Sequence, residues 1–125
     1  MFELMVEDKF AAAHQLVGYE GPCENLHGHT WKVQVFLKGV ELGSVGMLFD
    51  FKEAKKILKD ILQAFDHKNL NETAPFGAEN PTAENLAKRI YNEYSSRLKG
   101  LPGAGVQMDR TSVWESETTC ATYRS

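Results

Sequence analysis

The sequence predicts an α+β domain in the order β-β-α-α-β-β, an antiparallel four-stranded sheet with two helices on one face. Three observations carry that expectation: alternating hydrophobicity toward both ends of the chain, two segments of 3.6-residue periodicity between them, and Gly- or Pro-bearing stretches that separate the elements.

Residues 2–12 alternate, with Phe2, Leu4, Val6 and Asp8 on one face and Glu3, Met5, Glu7 and Lys9 on the other, as in an amphipathic strand. Residues 15–26, punctured by Gly18, Gly21 and Pro22, read as a long loop of the kind that usually carries function. From His27 to Gly39 the β-branched and aromatic residues Thr30, Trp31, Val33, Val35 and Phe36 predict the second strand. Gly39, Gly43, Ser44 and Gly46 form a turn region before a short strand-like stretch, Met47-Leu48-Phe49. Asp50 then precedes Phe51, Ala54, Leu58, Ile61, Leu62 and Phe65, whose spacing predicts an amphipathic helix. Lys52, Lys55, Lys56 and Lys59 read as its solvated face.

A second loop runs through Asn69, Asn71, Pro75, Gly77, Asn80 and Pro81 to Thr82, placed as a helix N-cap, with Glu84 in the first turn. Leu86, Ala87, Ile90, Tyr94 and Leu98 make the stripe of the second helix, which Gly100 and Pro102 end. Residues 105–114 and 118–123 predict two last strands, parted by Glu115, Ser116 and Glu117. No repeat, linker or low-complexity tract interrupts residues 1–125, so a single domain is expected. Its uncovered sheet edges predict self-association.

Fourteen Lys and Arg against seventeen Asp and Glu give a net charge of -3, which argues against a general nucleic-acid binder. The longest uninterrupted apolar run, Phe10 to Ala13, is far short of the roughly 20 residues that span a bilayer, so no membrane partner is expected. The N-terminus lacks the basic start and apolar run of a secretory signal, and a cytoplasmic location is expected. Cys23 and Cys120 predict free thiols and no disulfide framework.

Each of the four histidines stands at an element boundary: His14 at the end of the first strand, His27 and His29 at the start of the second, His67 after the first helix. Residues i and i+2 of a strand share a face, so His27 and His29 project together, and Gly28 between them leaves room for a close approach. If the two strands pair, His14 supplies a third nitrogen, and three imidazoles hold zinc at about 2.0–2.1 Å with an open fourth position. Alternatively Cys23 closes the tetrahedron and makes an inert structural site. Cys23 stands four residues before His27, where a cation would raise its thiolate fraction and fit it as nucleophile or base. Asp66 and His67, at the end of the helix, add a carboxylate and an imidazole to an activated constellation.

The segments Phe10-Ala-Ala-Ala-His14, Cys23-Glu-Asn-Leu-His-Gly-His29, Leu48-Phe-Asp-Phe51, Phe65-Asp-His-Lys-Asn-Leu70, Asn80-Pro-Thr-Ala-Glu-Asn-Leu86 and Val113-Trp-Glu115 span nearly the whole chain. In this order they resemble the 6-pyruvoyl-tetrahydropterin synthase and 6-carboxytetrahydropterin synthase family of tunnelling-fold enzymes. The resemblance implies Zn2+ on His14, His27 and His29, and a catalytic group of Cys23, Asp66 and His67. It implies that Glu115 anchors a pterin ring with help from Thr82. It also implies a hexamer of two stacked trimers with active sites between subunits, and 7,8-dihydroneopterin triphosphate as substrate. Cys120 matches none of the family's motifs and reads as a small buried or edge residue.

The short chain favours a 6-carboxytetrahydropterin synthase that releases acetaldehyde and triphosphate toward queuosine or a related deazapurine. Glu24 adds a second pattern, Glu-x2-His-Gly-His, which resembles the subgroup in which Glu is the general base and the side chain is cleaved to 6-hydroxymethyl-7,8-dihydropterin for folate synthesis. A dual-motif enzyme with both activities, a 6-pyruvoyl-forming enzyme, a Glu24 that is only a loop acid, and a non-enzymatic zinc- or pterin-binding domain are the other readings.

Overall fold

The computed structural model describes residues 1–18, 25–74, 76–101 and 105–125. Strands β1 (Phe2–His14) and β2 (His27–Gly39) pair antiparallel along their whole length, from Phe2 opposite Gly39 to His14 opposite His27. Helix α1 (Phe51–Leu62) follows, then a two-residue strand β3 (Lys68–Asn69) and a single 3-10 turn (Leu70–Glu72). Helix α2 (Ala83–Lys99) leads into the hairpin of β4 (Gln107–Ser116) and β5 (Thr119–Tyr123).

The α+β class and the helix-backed sheet agree with the sequence, but the sheet described has five strands, in the order β3-β1-β2-β4-β5, where four were predicted. The addition, β3, lies parallel to β1 with Lys68 opposite Ala12. A two-residue strand is too short to carry an alternating signal. Residues 47–49 are a bend and not the expected strand. Leu48 instead folds back over Gly39, whose missing Cβ makes the space for it. The last strands also shift: Glu115 and Ser116 belong to β4 and not to the connection.

The sheet face under the helices is apolar, with Phe10, Trp31, Val33, Val35, Leu37 and Val113 all nearly inaccessible. Full burial of such side chains stabilises by roughly 1.5–3 kcal/mol each. Asp50 caps α1 by accepting from the Lys52 N–H, and Ala54, Ile57, Leu58, Ile61 and Leu62 face the sheet. Phe51, predicted in that stripe, is 54% exposed, and Ile57 takes the core position. Phe65 lies past the helix end but is buried between Phe10 and Phe76, with ring centroids 5.8 and 5.9 Å away. Thr82 caps α2 as expected, accepting from the Asn85 N–H. The buried Tyr94 hydroxyl donates to the Ala54 carbonyl of α1 at 2.8 Å and ties the helices together.

The opposite sheet face is polar and amphipathic, with Lys32 over the Trp114 ring and Arg110 over Phe36. Among the described residues no helix is long and apolar enough to cross a membrane.

Candidate metal centre and catalytic pair

The register of β1 and β2 sets His14 opposite His27 and Ala12 opposite His29, so the three imidazoles rise from one face at the paired strand ends. Their ring centroids lie 4.5 to 5.2 Å apart. Glu115 joins them from β4, and the ligand atoms of His14, His27, His29 and Glu115 all lie within 4.8 Å of one another.

The outer ring nitrogens are committed. His14 Nδ1 donates to the Pro81 carbonyl at 2.8 Å and His27 Nδ1 donates to the Asn25 carbonyl at 2.7 Å. Each ring then carries its proton on Nδ1 and turns an Nε2 lone pair inward, the arrangement that second-sphere carbonyls impose on metal-bound histidines. Burial lowers the His29 pKa below its ordinary 6.5; Glu115 opposes this, and His14 and His27 reinforce it. Buried His14 Nε2 and His29 Nε2 have no hydrogen-bond partner among the described residues. Orphaned inward nitrogens beside a carboxylate fit a divalent transition metal.

Asp66 and His67 form a second group. Asp66 Oδ1 accepts from the Ala11 N–H at 3.0 Å, and His67 Nδ1 lies 3.0 Å from the same oxygen. The Ala11 N–H first, and His67 after it, hold the Asp66 carboxyl below the usual carboxylate range. The His67 N–H donates to the Ala11 carbonyl at 2.6 Å, with the residue at φ 59°. Its side chain is 82% exposed. It borders an open cleft that runs over residues 11–13 and 28–30, His29 among them. Of these, Ala11, Ala13, Gly28 and Thr30 alternate with His14, His27 and His29 along the strands and point to the other sheet face, while Ala12 and His29 belong to the histidine face. Among the described residues nothing lies within 4 Å of where a Gly28 Cβ would be.

The predicted site residues thus fall into two groups, with His14, His27, His29 and Glu115 on one face and the Asp66–His67 pair at the β1 edge. Thr82 is spent as the α2 cap, beside the Pro81 carbonyl that orients His14. Cys23 and Glu24 lie outside the described residues. Cys120 is exposed on β5.

Sequence reasoning missed the carbonyls of Pro81 and Asn25, for which no residue type is diagnostic. It also missed two asparagine clamps on the chain leaving β1. Asn71 pairs with both the N–H and the C=O of Gln15, and Asn80 does the same for Val17.

Fold and site together define an α+β enzyme built around a three-histidine cluster. The chain belongs to the 6-pyruvoyl tetrahydropterin synthase family, whose sequence model matches residues 3–125, and it is a lyase of that pterin-processing family. It is similar to a Haemophilus influenzae 6-carboxy-5,6,7,8-tetrahydropterin synthase, with 33% identity over 99% of both chains. It is 39% identical to a dihydroneopterin monophosphate aldolase of Pyrococcus furiosus, over 85% of this chain and 82% of the other. Its fold matches the structure of Caenorhabditis elegans 6-pyruvoyl tetrahydropterin synthase with a TM-score of 0.85 at 26% identity, covering 99% of this chain and 95% of that one.

Proposed function

We propose that the protein is a zinc-dependent 6-carboxy-5,6,7,8-tetrahydropterin synthase that acts on 7,8-dihydroneopterin triphosphate and releases acetaldehyde and triphosphate, on a route to queuosine or a related deazapurine. The observation that carries this reading is the convergence of His14, His27 and His29, with two of the rings oriented by backbone carbonyls. Similarity to a named 6-carboxytetrahydropterin synthase along nearly the entire chain supports the choice of product.

His14, His27 and His29 would hold the zinc, which when bound supplies a Lewis acid for the hydroxyls of the substrate side chain. The protein's own groups do the rest. The Cys23 thiolate removes a carbon-bound proton of the side chain, and His67 receives and returns protons as a relay. Asp66 fixes the His67 ring through Nδ1. The Glu115 carboxylate accepts two hydrogen bonds from the amino-pyrimidine edge of the pterin and fixes the ring, with Thr82 at the neighbouring helix start. The reading includes active sites shared between subunits of a hexamer built from two trimers, with Asp66 and His67 beside the short strand β3 at the sheet edge.

A second reading is favoured by Glu24 and by the similarity to the aldolase: side-chain cleavage to 6-hydroxymethyl-7,8-dihydropterin. Mass spectrometry of products from 7,8-dihydroneopterin triphosphate tests both. The carboxylated product is expected from the wild type and lost in Cys23→Ala with metal content unchanged. A hydroxymethyl product that survives Cys23→Ala and disappears in Glu24→Ala would establish the second activity. Failure of the wild type to form either product would overturn both readings.

A further inference from the structure

Glu115 sits in a bulge of β4. Trp114 pairs with Cys120 and Ser116 with Thr119, so β4 carries one residue more than β5 between these pairs, and that residue is Glu115. An unpaired residue in a bulge is free to aim its side chain away from the ladder. Glu115 Oε1 lies 2.9 Å from His29 Nε2 and 3.5 Å from His14 Nε2. Neither contact counts as an aligned hydrogen bond, and both nitrogens are buried without a partner among the described residues. His14 cannot donate from Nε2 while Nδ1 carries its proton to Pro81. His14 Nε2 and Glu115 Oε1 are thus acceptors facing each other, an arrangement that a cation between them would satisfy. Ligand atoms of a tetrahedral zinc site with bonds of about 2.0–2.1 Å stand roughly 3.3 Å apart, between the two separations observed here.

We propose that Glu115 is the fourth ligand of the metal in the substrate-free protein, closing the centre until substrate displaces it. The inference rests on the three-histidine metal site proposed above and adds a state to it. Glu115 lines two clefts, one with Ala83, Glu84 and β5, the other with Gly28, Thr30, Lys32 and Trp114. A substrate in either cleft lies against this carboxylate. Its displacement opens a coordination position and frees the same carboxylate for the polar edge of the ring, so metal opening and ring recognition become one exchange.

The test uses the full chain loaded with Co2+ and with Zn2+. Chelator competition should show Zn2+ affinity reduced roughly tenfold or more in Glu115→Gln, at least the cost of removing an outer-sphere partner. The visible Co2+ absorption of this variant should differ from that of the wild type. Adding 7,8-dihydroneopterin should change the wild-type spectrum and leave that of Glu115→Gln nearly unaltered. Unchanged affinity and an unchanged Co2+ spectrum in Glu115→Gln would overturn the proposal. Should that variant fold poorly, a crystal structure of the Zn2+-loaded wild type decides: carboxylate oxygen at about 2.0–2.2 Å from the metal supports the proposal, and water in that position overturns it. A His27→Ala protein that keeps its full metal content would instead overturn the three-histidine site, so the two failures are distinguishable.

Discussion

His67 has φ 59°, a left-handed conformation that costs a residue with a Cβ roughly 1–2 kcal/mol. The backbone bond to Ala11 and the contact with Asp66 hold it there, which places an imidazole on an exposed turn with its Nδ1 already engaged. Strain of this kind clusters at active sites and ligand clamps. His67→Gly should therefore gain about 0.5–1 kcal/mol in denaturant unfolding, after the added flexibility of the unfolded chain is deducted. It should also lose turnover. His67→Ala should lose turnover without the gain, and equal stability of the two variants would contradict the strain argument.

The helices are joined to each other by a single buried phenol as well as by apolar packing. Tyr94 is fully buried, and its hydroxyl reaches the Ala54 carbonyl. Burial first, and the Glu53 carboxylate second, push its pKa far above the ordinary 10. The raised folded value means that Tyr94 contributes its stability fully below about pH 10 and loses it as pH rises, because the unfolded phenol ionises first. Tyr94→Phe should cost about 1 kcal/mol at neutral pH. It should also show a shallower loss of stability above pH 10 than the wild type, read from unfolding curves at several pH values. Parallel curves for the two proteins would show that the hydroxyl is not held as described. The same element-level economy orients the histidine cluster, since the residue before the α2 cap lends its carbonyl to His14.

Across the whole molecule, the strands whose ends carry the histidines lie in the middle of the sheet, and the Asp66–His67 pair lies at its β3 side. The proposed sharing of active sites between subunits would join two half-sites, the Asp66–His67 pair of one chain and the histidine cluster of another. His27→Ala and His67→Ala proteins should each be inactive alone. Refolded as a mixture, they should regain activity, because some sites combine an intact histidine cluster from one subunit with an intact Asp66–His67 pair from another. No recovery on mixing would assign both half-sites to the same chain.

The amino-acid sequence alone determined what depends on near neighbours. Strand alternation put His27 and His29 on one face, helical periodicity built α1 and α2 around their stripes, and the side chains of Asp50 and Thr82 set the helix starts. These signals are legible because each arises within a few residues of chain. Tertiary structure decided what depends on register and on distant backbone. It brought His14 opposite His27, added β3, made Glu115 the extra residue of a bulge, and turned His14 inward through the carbonyl of Pro81, 67 residues away. Backbone carbonyls and bulges carry no residue type of their own, so only the packing of the whole sheet could place them.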